Sequence, residues 1–398
     1  MTTNNKNIDK QGNKLLNVPN LRFPEFEGEW DRYKLEDIAT FLKDRVSSST
    51  LTKDNYVSTE NILQDFQGVI RSQGVPANFN VMVYKKGDIL ISNIRPYLKK
   101  VWKADRDGGC SADVFVMRAN KTLCNEDFLH HIIANDCFIA YVMSGAKGVK
   151  MPRGDKEQMK KYKTSLPSIA EQKKISSLLN LIDERIATQN RIIEKYESLI
   201  KGITQKVYKH PSAKKVLLKE LLSERKEKNK NLFPVYSVSV SEGVVNQIEY
   251  LGRSFSASDT SNYNVAHWGD VIYTKSPTGE FPFGIIKRSD IETEVAVSPL
   301  YGVYKPVSVN VAIYMHYYFY SPINAKNYLH KLIQKGAKNT INITNQRFLE
   351  NYIPVPNEEI LSTFVKLIGN IAFKLKIEQS ILDKLQKQKK YLLSSMFI

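Results

Sequence analysis

Two stretches of this chain, LPSIAEQKKISSLLNLID (166–183) and VPNEEILSTFVKLIGNIA (355–372), are one device written twice. Each is an apolar-proline step, a polar opening and a long amphipathic run. From Pro167 and Pro356 onward the copies align without a gap. In the first, Leu179, Ile182, Ile186, Ile193, Tyr196, Ile200, Ile203 and Val207 recur at alternating steps of three and four. In the second, Ile368, Ile371, Leu375, Leu382, Leu385, Leu392 and Met396 keep the same phase. This is the a/d stripe of a coiled coil. A polar residue breaks it at the equivalent place in each copy, Gln189 and Glu378, and Lys389 breaks the second copy again. Polar residues in a seam cost stability and restrict register. A helix of about 38 residues reaches roughly 57 Å, farther than the roughly 30–40 Å across a domain of this size. The two helices are therefore expected to pack on each other. Pro211, in KHPSAKK (209–215), stops the first helix and a second domain follows. A helix leaving that domain to lie along the first must run back, so the pair is antiparallel.

The segments before the two helices repeat each other in order. YKLEDIATFLKDR (33–45) and VLLKELLSERKEKN (216–229) read as short amphipathic helices. KGDILISN (86–93) and GDVIYT (269–274) are strands opened by a Gly-Asp step, and SADVFVMR (111–118) is matched by VAVSPLYGVYKP (295–306). Helical spacing follows in NEDFLHHIIANDCFIAYVMSG (125–145), with Asn125 or Asp127 as N-cap, and in AIYMHYYFYSPINAKNYLHKLIQ (312–334). Each half then carries a glycine-basic loop, GAKGVKMPRGD (145–155) or KGAKNTINITN (335–345). Internal repetition decides architecture before other signals. The expected fold is α+β: two mixed α/β domains joined by two long antiparallel helices in a pseudo-two-fold repeat. The expected segments are a disordered tail (1–19), a first domain (20–166), a first spacer helix (167–208), a second domain (209–355) and a second spacer helix (356–398).

Lys and Arg total 58 against 41 Asp and Glu in 398 residues, a formal charge of +17, which suggests a polyanionic partner such as nucleic acid. The three cysteines, Cys110, Cys124 and Cys137, form no Cys-x-x-Cys pair, which argues for a reducing compartment and against a zinc site. The polar opening MTTNNKNIDKQGNK lacks the apolar core of a signal peptide, and no apolar run reaches bilayer length. A cytoplasmic protein is expected.

Catalytic constellations are missing. The sequence has no G-x-x-x-x-G-K-[ST] phosphate loop, no G-x-G-x-x-G after a strand, no H-E-x-x-H and no Asn-Pro-Pro-aromatic tetrapeptide. His130 and His131 are neighbours on one helix and face different ways, a poor metal pair. Asp88 and Asp270 recur in Gly-Asp steps, which read as turns. No catalytic residue and no metal ligand is assigned. What recurs is DNA-contact material: Arg95, Tyr97, Lys99, Lys100 and Lys103 in IRPYLKKVWK (94–103), and Lys147, Lys150 and Arg153 in the first glycine-basic loop. The second half offers Lys275, Lys287 and Arg288 in the loop or hairpin YTKSPTGEFPFGIIKR (273–288), and Lys335, Lys338, Asn339 and Asn342 in its glycine-basic loop. Lysine and arginine neutralise phosphates, while Arg and Asn can also read base edges.

LRFPEFEGEW (21–30) followed by YKLEDI, the repeated Gly-Asp strand and the two Leu/Val-Pro steps opening long helices resemble the specificity (S) subunit of type I restriction-modification systems. The likeness runs from about residue 20 to 398 and lies in the arrangement rather than in any one motif. It implies a non-catalytic chain that binds double-stranded DNA. Each domain would read half of a split site, asymmetric because the halves differ (SNIRPYLKK against TKSPTGEFPF), with the helices setting the unread gap. Two methyltransferase subunits would dock on it, supplying S-adenosylmethionine and adenine-N6 chemistry. Restriction subunits would supply the ATP- and Mg-dependent steps. No cofactor is expected in this chain, and no membrane. The competing readings are a self-contained nuclease or methyltransferase with divergent motifs, separated by assaying the purified chain alone, and a basic coiled-coil scaffold, separated by salt-dependent retention on duplex DNA.

Overall fold

A computed structural model describes residues 17–253, 256–335 and 341–398 of the chain. They divide into two units, one reaching Asn190 and including Ser380–Ile398, the other Arg191–Gln379. These units cut across the expected segments, because each long helix is shared. The first helix spans Ile169–Tyr208 and the second Glu358–Met396, 40 and 39 residues. In the first unit Ile175, Leu179 and Ile182 share a core with Leu392, Leu393 and Met396. In the second, Ile200 shares a core with Leu361, Phe364, Ile368 and Ile371. Opposite halves of the two helices meet, so they run antiparallel.

The seam follows the sequence pattern. Leu179, Ile182, Ile200, Ile368, Ile371, Leu385 and Leu392 are buried, while Ile186, Ile193, Tyr196, Ile203, Leu375 and Leu382 are half-buried at its edge. Gln189 is itself buried. Lys389 reaches Asp183 of the first helix at 2.5 Å, so this interruption is an interhelical ion pair. Further along, Phe397 stacks on Phe128 and the Leu21 N–H donates to the Ser395 carbonyl at 2.9 Å. The last residues of the chain thus complete the core of the first unit. Leu392→Ala should cost about 2–4 kcal/mol in thermal unfolding. Leu367→Ala, on an exposed face of the same helix, should stay within about 0.5 kcal/mol.

Each unit repeats one topology. A short antiparallel pair, Asp31–Lys34 with Lys163–Leu166 or Lys214–Leu217 with Tyr352–Val355, closes at the foot of a long helix. A single helical turn follows its first strand, Leu35–Ile38 or Leu218–Leu221. A four-stranded antiparallel sheet comes next, ordered Ala39–Phe41, Val114–Ala119, Ile89–Ser92, Val101–Lys103 in the first unit. In the second the order is Leu222–Glu224, Gly302–Pro306, Val271–Tyr273, Ile286–Arg288. Two helices then pack on it: Glu126–Ile133 and Asp136–Ser144, or Val309–Phe319 and Pro322–His330.

The structure corrects three sequence expectations here. The helices expected over 33–45 and 216–229 last one turn, because Ala39–Phe41 pairs with Met117–Ala119 and Leu222–Glu224 with Tyr304–Pro306. Sheet pairing outweighs the weak preference of one amphipathic turn. The single helices expected over 125–145 and 312–334 are each broken. Asn125 caps the first piece as expected, but Asn135 caps a second, and in the other unit Ser321 does so ahead of Pro322. Finally, Asn17 is buried and its side chain bonds the Trp30 carbonyl and the Ser165 hydroxyl, so it departs from the tail expected over 1–19. Residues 1–16 lie outside the described residues.

The Gly-Asp steps are the same turn in both units. Gly87 (φ +92°) and Gly269 (φ +84°) take a left-handed conformation that costs glycine nothing. Asp88 accepts from the Lys85 N–H at 2.7 Å and holds Arg118 bidentately at 2.7 Å. Asp270 accepts from the His267 N–H at 2.9 Å and holds Arg225 at 2.6 and 3.1 Å. The same anchor is met by an arginine from a different place in each half: Arg118 within the strand Val114–Ala119, Arg225 just after the strand Leu222–Glu224.

Outside this shared frame the units differ. The first adds a sheet ordered Arg45–Ser47, Asn80–Tyr84, Gly108–Cys110, Tyr56–Val57. The second carries two separate pairs, Tyr236–Ser239 with Gly243–Asn246 and Asn264–Ala266 with Val295–Val297.

Candidate nucleic-acid interface

In the first unit, loops far apart in sequence interlock into one basic platform. The Arg95 N–H donates to the Pro152 carbonyl at 2.7 Å, and the Gly154 N–H to the Asn93 carbonyl at 2.9 Å. Lys147 and Arg153 exchange reciprocal backbone hydrogen bonds of 3.0 and 2.9 Å, closing the glycine-basic loop on itself. A third segment, which the sequence analysis did not single out, clamps the other side. The Asp65 and Phe66 N–H groups donate to the Leu98 and Lys99 carbonyls at 3.1 and 3.0 Å. Four non-glycine residues of this platform hold left-handed backbone: Asp65 (φ 52°), Phe66 (61°), Arg95 (49°) and Lys99 (53°). Such conformations persist only where surroundings enforce them, and they concentrate at binding sites.

The basic side chains divide by what they touch. Lys150 is exposed with no partner among the described residues, beside fully exposed Val149, and Tyr97 is also exposed. Lys147 pairs with Asp155 at 2.9 Å and Arg153 with Asp113 at 3.1 Å, both cations largely in solvent. Exposed pairs of this kind are worth little, so a phosphate can displace the carboxylate. The Lys147 contact, with two backbone N–H groups, holds the Asp155 carboxyl below the usual range. Arg95 is half-buried, its Nε without a partner among the described residues. The remaining lysines fasten the platform instead of projecting from it. Lys99 pairs with Asp136 at 2.8 Å, Lys100 donates to the Thr59 carbonyl at 2.5 Å, and Lys103 pairs with Asp127. Asp127 also accepts from Asn180 of the first long helix at 3.1 Å, so Lys103 belongs to an internal network.

In the second unit YTKSPTGEFPFGIIKR is a hairpin, its strands paired from Val271 against Arg288 to Tyr273 against Ile286. Lys275 sits at its start with φ 61°. The expectation that Lys287 contacts phosphate is corrected: its side chain is 2% exposed and its ammonium lies 4.5 Å from the Tyr320 ring centre. Burial pushes that ammonium down to about 8. Arg288 is also mostly covered, pairing with Asp290 and stacking on Trp268 at 5.6 Å. A cation already held by a carboxylate and an indole is a poorer phosphate ligand than a free one. Of the second glycine-basic loop, Lys335 and Asn342 lie in a short backbone ladder, Gln334–Lys335 with Ile341–Asn342. Lys338 and Asn339 lie outside the described residues.

Among the described residues no group of three or more His, Cys, Asp or Glu side chains is placed to hold a metal ion. No described helix is long and apolar enough to cross a membrane.

Comparison with known proteins bears on the whole arrangement. Residues 27–198 match the family model of the type I restriction modification DNA specificity domain. The resemblance read from the sequence is borne out by this match and by curated relatives. The chain is 24% identical over 211 residues to the type I restriction enzyme MjaVIII specificity subunit of Methanocaldococcus jannaschii, covering 50% of this chain and 47% of that protein. It is 22% identical over 207 residues to the type I restriction enzyme EcoDI specificity subunit of Escherichia coli, covering 50% and 45%. The chain thus spans about half the length of the curated relatives it matches. The fold is similar to the type I restriction-modification S subunit from M. genitalium, with TM-score 0.61 at 14% identity over 96% of this chain and 99% of that one. A chain from a structural study of type I R-M complex assembly gives TM-score 0.50 at 17% identity, covering 92% and 96%.

Proposed function

We propose that this chain, whose residues 27–198 match a type I restriction-modification DNA specificity domain, is the non-catalytic specificity subunit of such a complex. The observation that carries the reading is repetition: one sheet order, one Gly-Asp anchor and one pair of capping helices occur in both units. Both units are tied to the same two antiparallel helices. Each unit contacts one half of a split DNA site, and the helices set the unread gap between the halves. The halves differ, because the units differ outside their shared frame. Two methyltransferase subunits dock on the chain and bring S-adenosylmethionine; restriction subunits bring ATP-driven cleavage.

A docking role is supported by the outer face of the second helix, where Phe373, Ile377 and Ile381 stand exposed at steps of four. Apolar residues aligned in this way on a solvent face mark an interaction surface. The experiment that tests the function inserts one heptad into both helices, after Gln189 and after Glu378. Methylation mapping of the reconstituted complex should show the same two half-site sequences separated by a longer gap. An unchanged gap with altered half-sites would refute the spacer role.

A further inference from the structure

Beside the basic platform of the first unit lies a groove of about 460 Å³, walled by residues 58–61 and 70–74 and completed by Tyr56, Ser111 and Asp113. We infer that this groove, rather than the basic loops, reads base edges in the half-site that the first unit contacts, with Gln73 as the reader. The inference rests on the proposed DNA-recognition function and names the residue that gives it sequence preference.

The donor set separates base edges from phosphates. The lining mixes an amide (Gln73), a guanidinium (Arg71) and hydroxyls with two carboxylates, Glu60 and Asp113. Carboxylates repel a phosphate ridge, whereas base edges present both donors and acceptors and can use either kind of group. The walls are stiff. The Asn61 amide is fully engaged, accepting from the Ser58 N–H at 2.6 Å and donating to the Tyr56 and Ile70 carbonyls at 3.3 and 2.9 Å. Lys100 ties the Thr59 carbonyl, and the tip at Asp65 and Phe66 is bonded to the platform. A groove held this firmly loses little entropy on binding.

Against these committed groups, Gln73 is exposed and its amide has no partner among the described residues. Glutamine can bond adenine bidentately through its N6 and N7. Among the described residues Arg71 meets only Asp54, at 2.9 Å, with both side chains mostly in solvent, a pair that exchanges readily. The groove also adjoins the phosphate-contacting loop. The Asp113 carboxylate pairs with Arg153 and its backbone carbonyl accepts the Asn93 N–H at 2.8 Å, so DNA steered onto the loop reaches the groove.

The test is selection of bound sequences from a randomised duplex pool by the full chain and its variants, with the salt dependence of binding measured in parallel. Gln73→Ala should lose about 5- to 150-fold of discrimination at one base position of one half-site and leave the salt slope unchanged. Gln73→Glu keeps the acceptor but not the donor, and should move that position towards cytosine, whose N4 donates. If both variants select the parent's sequence at every position, or weaken all positions equally, the inference is overturned and the proposed function stands. If the parent chain enriches no sequence, it is the proposed function that fails.

Discussion

Asp270→Ala is expected to lower the stability of the second unit by about 3 kcal/mol, the largest loss foreseen for any single polar residue of the frame. The Asp270 side chain is 2% exposed and Arg225 only 21%, so removal leaves a largely covered guanidinium with only the longer Glu227 contact at 3.6 Å, and the His267 N–H without its acceptor. For a unit of this size that is roughly 6–12 °C in the unfolding midpoint. Asp88→Ala should cost less, about 2 kcal/mol, because its partner Arg118 is 38% exposed and rehydrates when the carboxylate goes. Equal losses, read by calorimetry on the two variants, would mean that burial of the arginine does not govern the anchor.

The second large effect concerns binding. Replacing Lys147, Lys150 and Arg153 together by Ala should lower affinity for duplex DNA of every sequence and reduce the slope of log K against log salt by about 2 to 3. The three side chains sit on one loop whose backbone is pinned to Asn93 and Arg95, so their removal should subtract charge from one place without reordering the chain. Lys287→Met serves as the contrasting variant. Its ammonium is covered and stacked on Tyr320, and the slope should not change. A slope that stays at the parent's value in the triple variant, measured by titration between about 50 and 200 mM salt, would remove the loop from the phosphate contacts.

Much of the frame was legible in the residues because it rests on local periodicity. The three-four spacing from Leu179 to Val207, and its copy from Ile368 to Met396, needs no knowledge of the rest of the chain to predict a buried stripe. The same holds for Gly87-Asp88 and Gly269-Asp270, where a left-handed glycine and a turn-closing carboxylate are properties of adjacent residues. The basic residues were harder to sort. Arg153 and Lys287 look alike in sequence, yet one stands in solvent and the other is enclosed. Nothing within a few residues of Lys287 announces Tyr320, which caps the end of a helix more than thirty positions away.

The chain alone determined that it holds two similar halves, two long antiparallel helices and an excess of positive charge, since repetition, period and net charge are properties of the string. Only the folded form decided which cations project and which fasten. It also decided that a segment without basic residues at its tip, Asp65–Phe66, clamps the platform, and that the final helix completes the first unit. Those outcomes depend on hydrogen bonds and burial between residues distant in sequence: Asp65 with Leu98, Arg95 with Pro152, Phe128 with Phe397. Pairing of that kind carries no local signature, because each partner's side-chain type is compatible with many neighbours until the backbone brings one of them within reach.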